Sequence, residues 1–267
     1  MDGIVFGHRG AAFEVSENTM AGFRHAVAEG VRAIELDVHL SRDGRLAVVH
    51  DASLRRTVGL EREVGEFTRA ELRAMRASLL PAGWTGAGDV GIPGLEEVLA
   101  EFRGPVRDWQ IEIKTDAPAR LEAVCGLVAD LVEAEGLEGR AVVTSWDPVA
   151  LEIMLERYPR IRRGFIGWYR SGSSPAPERV ATAAPPRSAE EDLATARRLG
   201  AYNACIPVMT SSKAAVDAAH AAGMTVTGWL GDSEPQLEAL LDWGVEMITT
   251  NRPGFALPWL RGRGFCA

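Results

Sequence analysis

The chain has 267 residues, 46% apolar and 25% charged, with a formal net charge of -8. That length can bury one large core, and α/β barrels commonly reach it as a single domain. The acidic balance excludes a nucleic-acid or anionic-membrane surface, which needs clustered excess Lys and Arg, so any anionic ligand must be met locally.

No charged segment followed by an apolar run precedes Val5, and no apolar run approaches a bilayer-spanning length. The expectation is a cytoplasmic protein without stable membrane association. Cys125, Cys205 and Cys266 lack close metal-type spacing, which argues against a disulfide framework or a thiolate zinc site and reads as buried small residues or surface thiols.

In chain order, β-branched runs keep ending just before helical patterns: Ile4 to His8, Ala33 to His39, Gln110 to Lys114, Ala141 to Thr144, Arg163 to Ile166, Asn203 to Pro207, Thr225 to Trp229 and Glu246 to Thr250. Between them lie segments such as Met20, Phe23, Val27 and Leu121, Val124, Val128, Leu131, whose spacings place them on one helical face. Asn18 or Thr19 can cap the first helix and Gly30 can end it. Strand then helix, eight times over, predicts a parallel (β/α)8 TIM barrel with its functional groups at the C-terminal strand ends, where His8 falls. Residues 52–92, with "TRAELRAMR" and the Gly-rich "AGWTGAGDVGIPG", read as an insertion within a single domain spanning 1–267, too short and polar for a core of its own.

The second strand, "RAIELDVHL", alternates Ile34, Leu36 and Val38 with Glu35, Asp37 and His39. A period of two sends the apolar set toward the helices and both carboxylates toward the barrel axis. The third strand, "QIEIK", repeats this with Glu112 and Lys114 facing inward. Like charges gathered in a partly buried strand cost several kcal/mol unless a cation joins them. One carboxylate alone reads as the partner of a neighbouring Arg or Lys; three on two strands read as ligands for one divalent cation. Oxygen donors without thiolates suit Mg²⁺ or Ca²⁺, with Mn²⁺ also compatible.

Asp43-Gly44 is a strong two-residue hairpin signal that sets His50 opposite Asp37. A four-residue loop from Ser41 to Gly44 sets it opposite Glu35 instead, and only an odd loop length puts it on the wrong face. His50 is therefore expected beside the carboxylates. Lys114 and Lys213 are the only lysines among 29 basic side chains. Lys114, facing inward, reads as a phosphate or leaving-oxygen contact, whereas Lys213 lies at a helix start. His25, His39 and His220 read as structural or solvated.

"GHRG", "SENT", "AIELDVHLSRDG", "LAVVHD", "IPGLEEVL", "IEIK" and "ITTNRP" resemble the glycerophosphodiester phosphodiesterase family in order and spacing over nearly the whole chain. The resemblance implies metal-dependent hydrolysis of small-molecule glycerophosphodiesters to glycerol phosphate and an alcohol. It casts His8 and His50 as the acid/base pair, Glu35, Asp37 and Glu112 as metal ligands, and Arg9 and Lys114 as phosphate contacts. It leaves open which histidine is the acid, whether water or the glycerol hydroxyl attacks, and the oligomeric state. A phospholipase D-like barrel acting on lysolipid needs a more apolar mouth, and a noncatalytic phosphate-binding barrel would lack a histidine or a metal carboxylate.

Four departures from the family pattern stand out: Ser16 for Pro, Gly94 for Thr, "GWLGD" at 228–232 where Thr-Val-Asn follows the Trp, and Asn251 for Asp, which puts a structural hydrogen bond in doubt. Trp146, Trp168, Tyr169 and Trp229 fall at strand ends where a substrate can rest, and Trp229 is assigned to substrate binding. The Pro- and Ser-rich stretch from Gly167 to Arg187 is too long for an ordinary connection and reads as a lid or specificity loop.

Overall fold

The computed structural model describes residues 3–78, 80–167 and 188–266. In chain order the strands are β1 (Ile4–His8), β2 (Ala33–Leu40), β3 (Leu46–Val48), β4 (Asp108–Ile113), β5 (Ala141–Ser145), β6 (Arg162–Ile166), β7 (Asn203–Pro207), β8 (Thr225–Trp229) and β9 (Met247–Thr250). All but β3 run parallel and close on themselves in the order β1-β9-β8-β7-β6-β5-β4-β2, with β2 returning to β1. This is the (β/α)8 TIM barrel that the alternation predicts. β3 is an antiparallel addition to β2.

The helices are α1 (Met20–Ala28), α2 (Arg55–Val58), α3 (Arg69–Ala74), α4 (Leu95–Phe102), α5 (Pro118–Ala134), α6 (Pro148–Arg157), α7 (Ala189–Arg198), α8 (Lys213–Ala221), α9 (Glu234–Trp243) and α10 (Pro253–Arg261). Ile34, Leu36, Val38, Ile111 and Ile113 are fully buried against Phe23, Leu95, Leu99, Val124 and Val128 in the layer between strands and helices. Each such side chain contributes roughly 1.5–3 kcal/mol, and this burial commits the alternate residues to the axis. Thr19 caps α1 by accepting from the Gly22 amide at 3.0 Å. Asn18, the other candidate cap, instead stands at φ +52 and points its amide to the barrel mouth.

The hairpin differs from expectation. Leu40 pairs with Leu46, so the connection is the odd-length Ser41–Arg45, closed by Ser41 N–H to Arg45 C=O at 2.9 Å. Continued pairing would set position 50 against Leu36, away from the axis. The ladder stops first: β3 ends at Val48, and His50 follows the chain as it leaves the sheet.

Residues 52–92 carry α2, a 3-10 turn at Val64–Glu66, and α3, which Thr68 and Glu71 cap reciprocally. Leu54, Val64, Leu72 and Ile92 are buried in a small cluster that they share with Ala47 and Val49 of the β3 hairpin. Arg73 holds Asp89 of the same segment at 2.6 and 2.5 Å and reaches Glu97 on α4 at 3.0 Å. Among the described residues no helix is long and apolar enough to cross a membrane. Cys125 and Cys205 are buried free thiols, and Cys266 is partly exposed.

Candidate active site

The parallel register sets the site in rows. His8 aligns with Glu35 and Glu35 with Gln110; one step along, Asp37 aligns with Glu112 and Glu112 with Thr144. Glu35, Asp37 and Glu112 are 2%, 0% and 7% exposed, and their nearest oxygens all lie within 4.8 Å of one another. The structure thus brings together all three carboxylates that strand alternation singled out.

Two cations face them. The Lys114 ammonium lies 2.8 Å from Asp37 Oδ1 and 2.5 Å from Glu112 Oε1. Arg9 Nε is 3.3 Å from Asp37 Oδ2, and the same oxygen accepts from Asn18 Nδ2 at 2.8 Å. Burial would raise Asp37, but the charges of Lys114, His50 and Arg9 hold it well below the usual carboxylate range. Burial, then the charges of Asp37 and Glu112, push Glu35 well above that range. Glu112 is raised by burial, partly offset by Lys114. Among the described residues Lys114, Arg9 and His50 face the three buried carboxylates, and this set of hard oxygen donors within 4.8 Å of one another fits a divalent ion of the Mg²⁺, Ca²⁺ or Mn²⁺ type.

Arg9 occupies the left-handed region at φ +51, which turns its backbone N–H onto Glu35 Oε2 at 3.0 Å. The next residue must be glycine: at φ +88, a Cβ on Gly10 would meet the Gly22 carbonyl carbon at 2.8 Å. His8 Nδ1 is 2.6 Å from Asn251 Oδ1, and its Nε2 is 3.7 Å from Glu35 Oε2. Burial and the Arg9 charge lower the His8 pKa to about 3.

His50 reaches the mouth from outside the ladder. Its Nδ1 donates to Asp51 Oδ1 at 2.5 Å, and its carbonyl accepts from His39 Nε2 at 3.0 Å. His39 is accordingly a buried support with a pKa lowered to about 4, chiefly by burial. Arg56 on α2 donates to Glu17 at 2.7 Å through both terminal nitrogens and to Asp51 Oδ2 at 2.6 Å. Glu17 also accepts from Arg9 at 3.0 Å. Although burial opposes it, hydrogen bonds from Arg56 and the Arg9 charge hold Glu17 at about 2.

His8, Arg9, Glu35, His50, Glu112 and Trp229 line one cavity of about 420 Å³ at the C-terminal strand ends. Its other wall includes Trp146, Ile166, Pro207, Met209 and Leu230, with the Trp146 and Trp229 rings edge to face at 6.0 Å. Trp168, Tyr169 and, apart from Gly167, the stretch read as a lid lie outside the described residues. Two of the sequence departures touch each other: Asp232 Oδ2 accepts from Asn251 Nδ2 at 2.7 Å. The Asn251 side chain pairs with His8 Nδ1 through its amide oxygen. The Ser16 carbonyl accepts from the hydroxyl of Thr19, the N-cap of α1, and Gly94 is the N-cap of α4.

A model of the glycerophosphoryl diester phosphodiesterase family matches residues 8–255. The chain belongs to that family. It is 32% identical over 254 residues to a glycerophosphodiester phosphodiesterase of Bacillus altitudinis, covering 95% of this chain and 96% of that one. The fold matches a phosphodiesterase of Oleispira antarctica, solved in complex with the product sn-glycerol-3-phosphate, with TM-score 0.78, 21% identity and 97% of each chain covered. It also matches a glycerophosphodiester phosphodiesterase of Agrobacterium tumefaciens, with TM-score 0.73, 24% identity, and 97% of this chain and 100% of that one covered.

The hydrogen-bond network of this phosphodiesterase's mouth also includes residues that the sequence pattern does not assign to the site. Asn18 and Glu17 come from "SENT", where the motif hinted at a role without giving one. Asp51 adjoins His50 in sequence, and a carboxylate next to a histidine was the available signal. Arg56 gave none, because its partners are 39 and five positions away.

Proposed function

We propose that the chain hydrolyses glycerophosphodiesters with one divalent cation held by Glu35, Asp37 and Glu112. When bound, that cation supplies positive charge to the phosphoryl oxygens and lowers their repulsion toward a nucleophile. Arg9 offers a charge-assisted grip on the same group, and Lys114, already between two carboxylates, supplies a second donor. His8 stands at the end of β1 and His50 beyond β3, and both line the cavity that holds Glu35 and Glu112. In-line displacement places entering and leaving oxygens on opposite sides of phosphorus, so each histidine holds or moves a proton on its own side. Trp229, with Trp146 at its edge, gives the organic part of the diester an apolar wall.

The observation that carries this reading is the convergence of two histidines, an arginine and buried carboxylates on one cavity. A noncatalytic phosphate-binding barrel would lack one of them. The test is a panel of glycerophosphodiesters and lysolipids assayed with defined divalent ions after chelation. Cation-dependent release of glycerol phosphate supports the reading, and release confined to lysolipids, or turnover indifferent to chelation, contradicts it.

A further inference from the structure

Asp232 does not touch His8, yet the hydrogen bonds around it decide which face His8 presents. A carboxylate only accepts, and Asp232 has both oxygens engaged at the end of β9. Oδ1 accepts from the Asn251 backbone N–H at 2.7 Å and from Thr250 Oγ1 at 3.0 Å; Oδ2 faces the Asn251 side-chain amide at 2.7 Å. The atom of Asn251 facing Oδ2 must therefore be the NH₂ group, because a carbonyl there would set two acceptors against each other. That leaves Asn251 Oδ1 facing His8 Nδ1 at 2.6 Å. A carbonyl oxygen requires a donor, so Nδ1 carries a proton, and in the neutral ring Nε2 then keeps the lone pair. Asn251 is 3% exposed and Thr250 fully buried, so water does not compete freely for these bonds. The side chain of Gln236 accepts from the Asp232 N–H at 3.0 Å, and the Arg252 guanidinium donates to its carbonyl at 3.3 Å, fixing the backbone.

We infer that Asp232 is a positioning residue that, through Asn251, locks His8 in the tautomer with a free Nε2 facing the cavity. The chain runs across three neighbouring strand ends, β8 to β9 to β1. It rests on the proposed participation of His8 in the reaction only for its kinetic consequence. The tautomer itself follows from donor and acceptor matching.

The test uses the metal-loaded enzyme and imidazole ¹⁵N shifts, with the His8 signals assigned by their loss in His8→Gln. The wild type should show His8 protonated at Nδ1. Asp232→Asn frees the Asn251 amide to turn over, so the His8 signals should become those of mixed tautomers and kcat should fall at least about tenfold, with KM within about twofold. Combining Asp232→Asn with Asn251→Asp exchanges the two groups but keeps every donor opposite an acceptor. It should restore the single tautomer and bring kcat back to within about threefold of wild type. A wild-type His8 protonated at Nε2, an unaltered pattern and kcat in Asp232→Asn, or an exchange variant no better than the single variant would each overturn the inference. The failure of the underlying reading looks different: His8→Gln would then retain turnover, while the ¹⁵N pattern would still report whether Asp232 sets the tautomer.

Discussion

Asp37 and Glu112 are direct partners in the register of β2 and β4, so their carboxylates share one patch of the barrel mouth. The Lys114 ammonium bridges them at 2.8 and 2.5 Å. Removing one member of a buried ion pair leaves an uncompensated charge that costs about 3–5 kcal/mol. Lys114→Met should therefore lower the unfolding midpoint of the chelated protein sharply. A divalent cation should restore more of it than it adds to the wild type, because it answers the same two carboxylates. Calorimetry with and without the ion checks this, and equal increments in both proteins would show that the ion binds elsewhere.

The two histidines differ in their supports: His8 leans on an amide and His50 on a carboxylate. His8→Ala and His50→Ala should each lose at least about a hundredfold in turnover of a natural glycerophosphodiester. A nitrophenolate scarcely needs a proton to leave, so only the variant lacking the general acid should recover on a nitrophenyl phosphodiester. Recovery by both, or by neither, would mean that the histidines position phosphate and do not divide proton transfer.

Arg56 ties Glu17, the partner of Arg9, to Asp51, the partner of His50. Its loss should loosen a phosphate contact and a proton-transfer group together, so Arg56→Ala should lower kcat/KM by about ten- to a hundredfold. Arg55, exposed on the same helix and paired with Glu61, supplies the control, and Arg55→Ala should leave turnover unchanged. Steady-state kinetics of the two variants side by side decide the matter.

Much of this site was legible because parallel strands obey a strict alternation. Once Ile34, Leu36, Ile111 and Ile113 are assigned to the helix layer, Glu35, Asp37 and Glu112 have nowhere to point but the axis. His50 illustrates the limit of that rule. The hairpin signal predicts an even loop that sets His50 beside the carboxylates, whereas the Ser41–Arg45 loop is odd and the histidine reaches the cavity because the ladder ends before it. Asn18 and Arg56 escaped for a related reason. Neither belongs to a strand, so periodicity carries no information about where their side chains point, and their partners lie 19 and 39 positions away.

His39 ties the support of His50 to pH. Its pKa falls from 6.5 to about 4 on folding, mainly through burial. The unfolded chain then binds a proton that the folded one refuses, so this contribution to stability is complete above about pH 6.5 and is lost as pH falls toward 4. The loss amounts to about 1–3 kcal/mol. His39→Gln keeps a donor for the His50 carbonyl but does not titrate. Denaturant unfolding between pH 7 and pH 4 should show a shallower decline in stability for the variant than for the wild type, whereas parallel declines would remove His39 as the cause.

If the three buried carboxylates hold the ion on which turnover depends, glycerophosphodiester turnover by exhaustively chelated protein titrated with Mg²⁺ or Ca²⁺ reports it, with wild type and Asp37→Asn measured in parallel. The wild type should start near zero and recover saturably as about one ion per chain binds, by calorimetric titration. Asp37→Asn should bind the ion at least about tenfold more weakly and recover little at the same concentrations. Full turnover of the chelated wild type, or identical titration curves for the two proteins, would contradict the account.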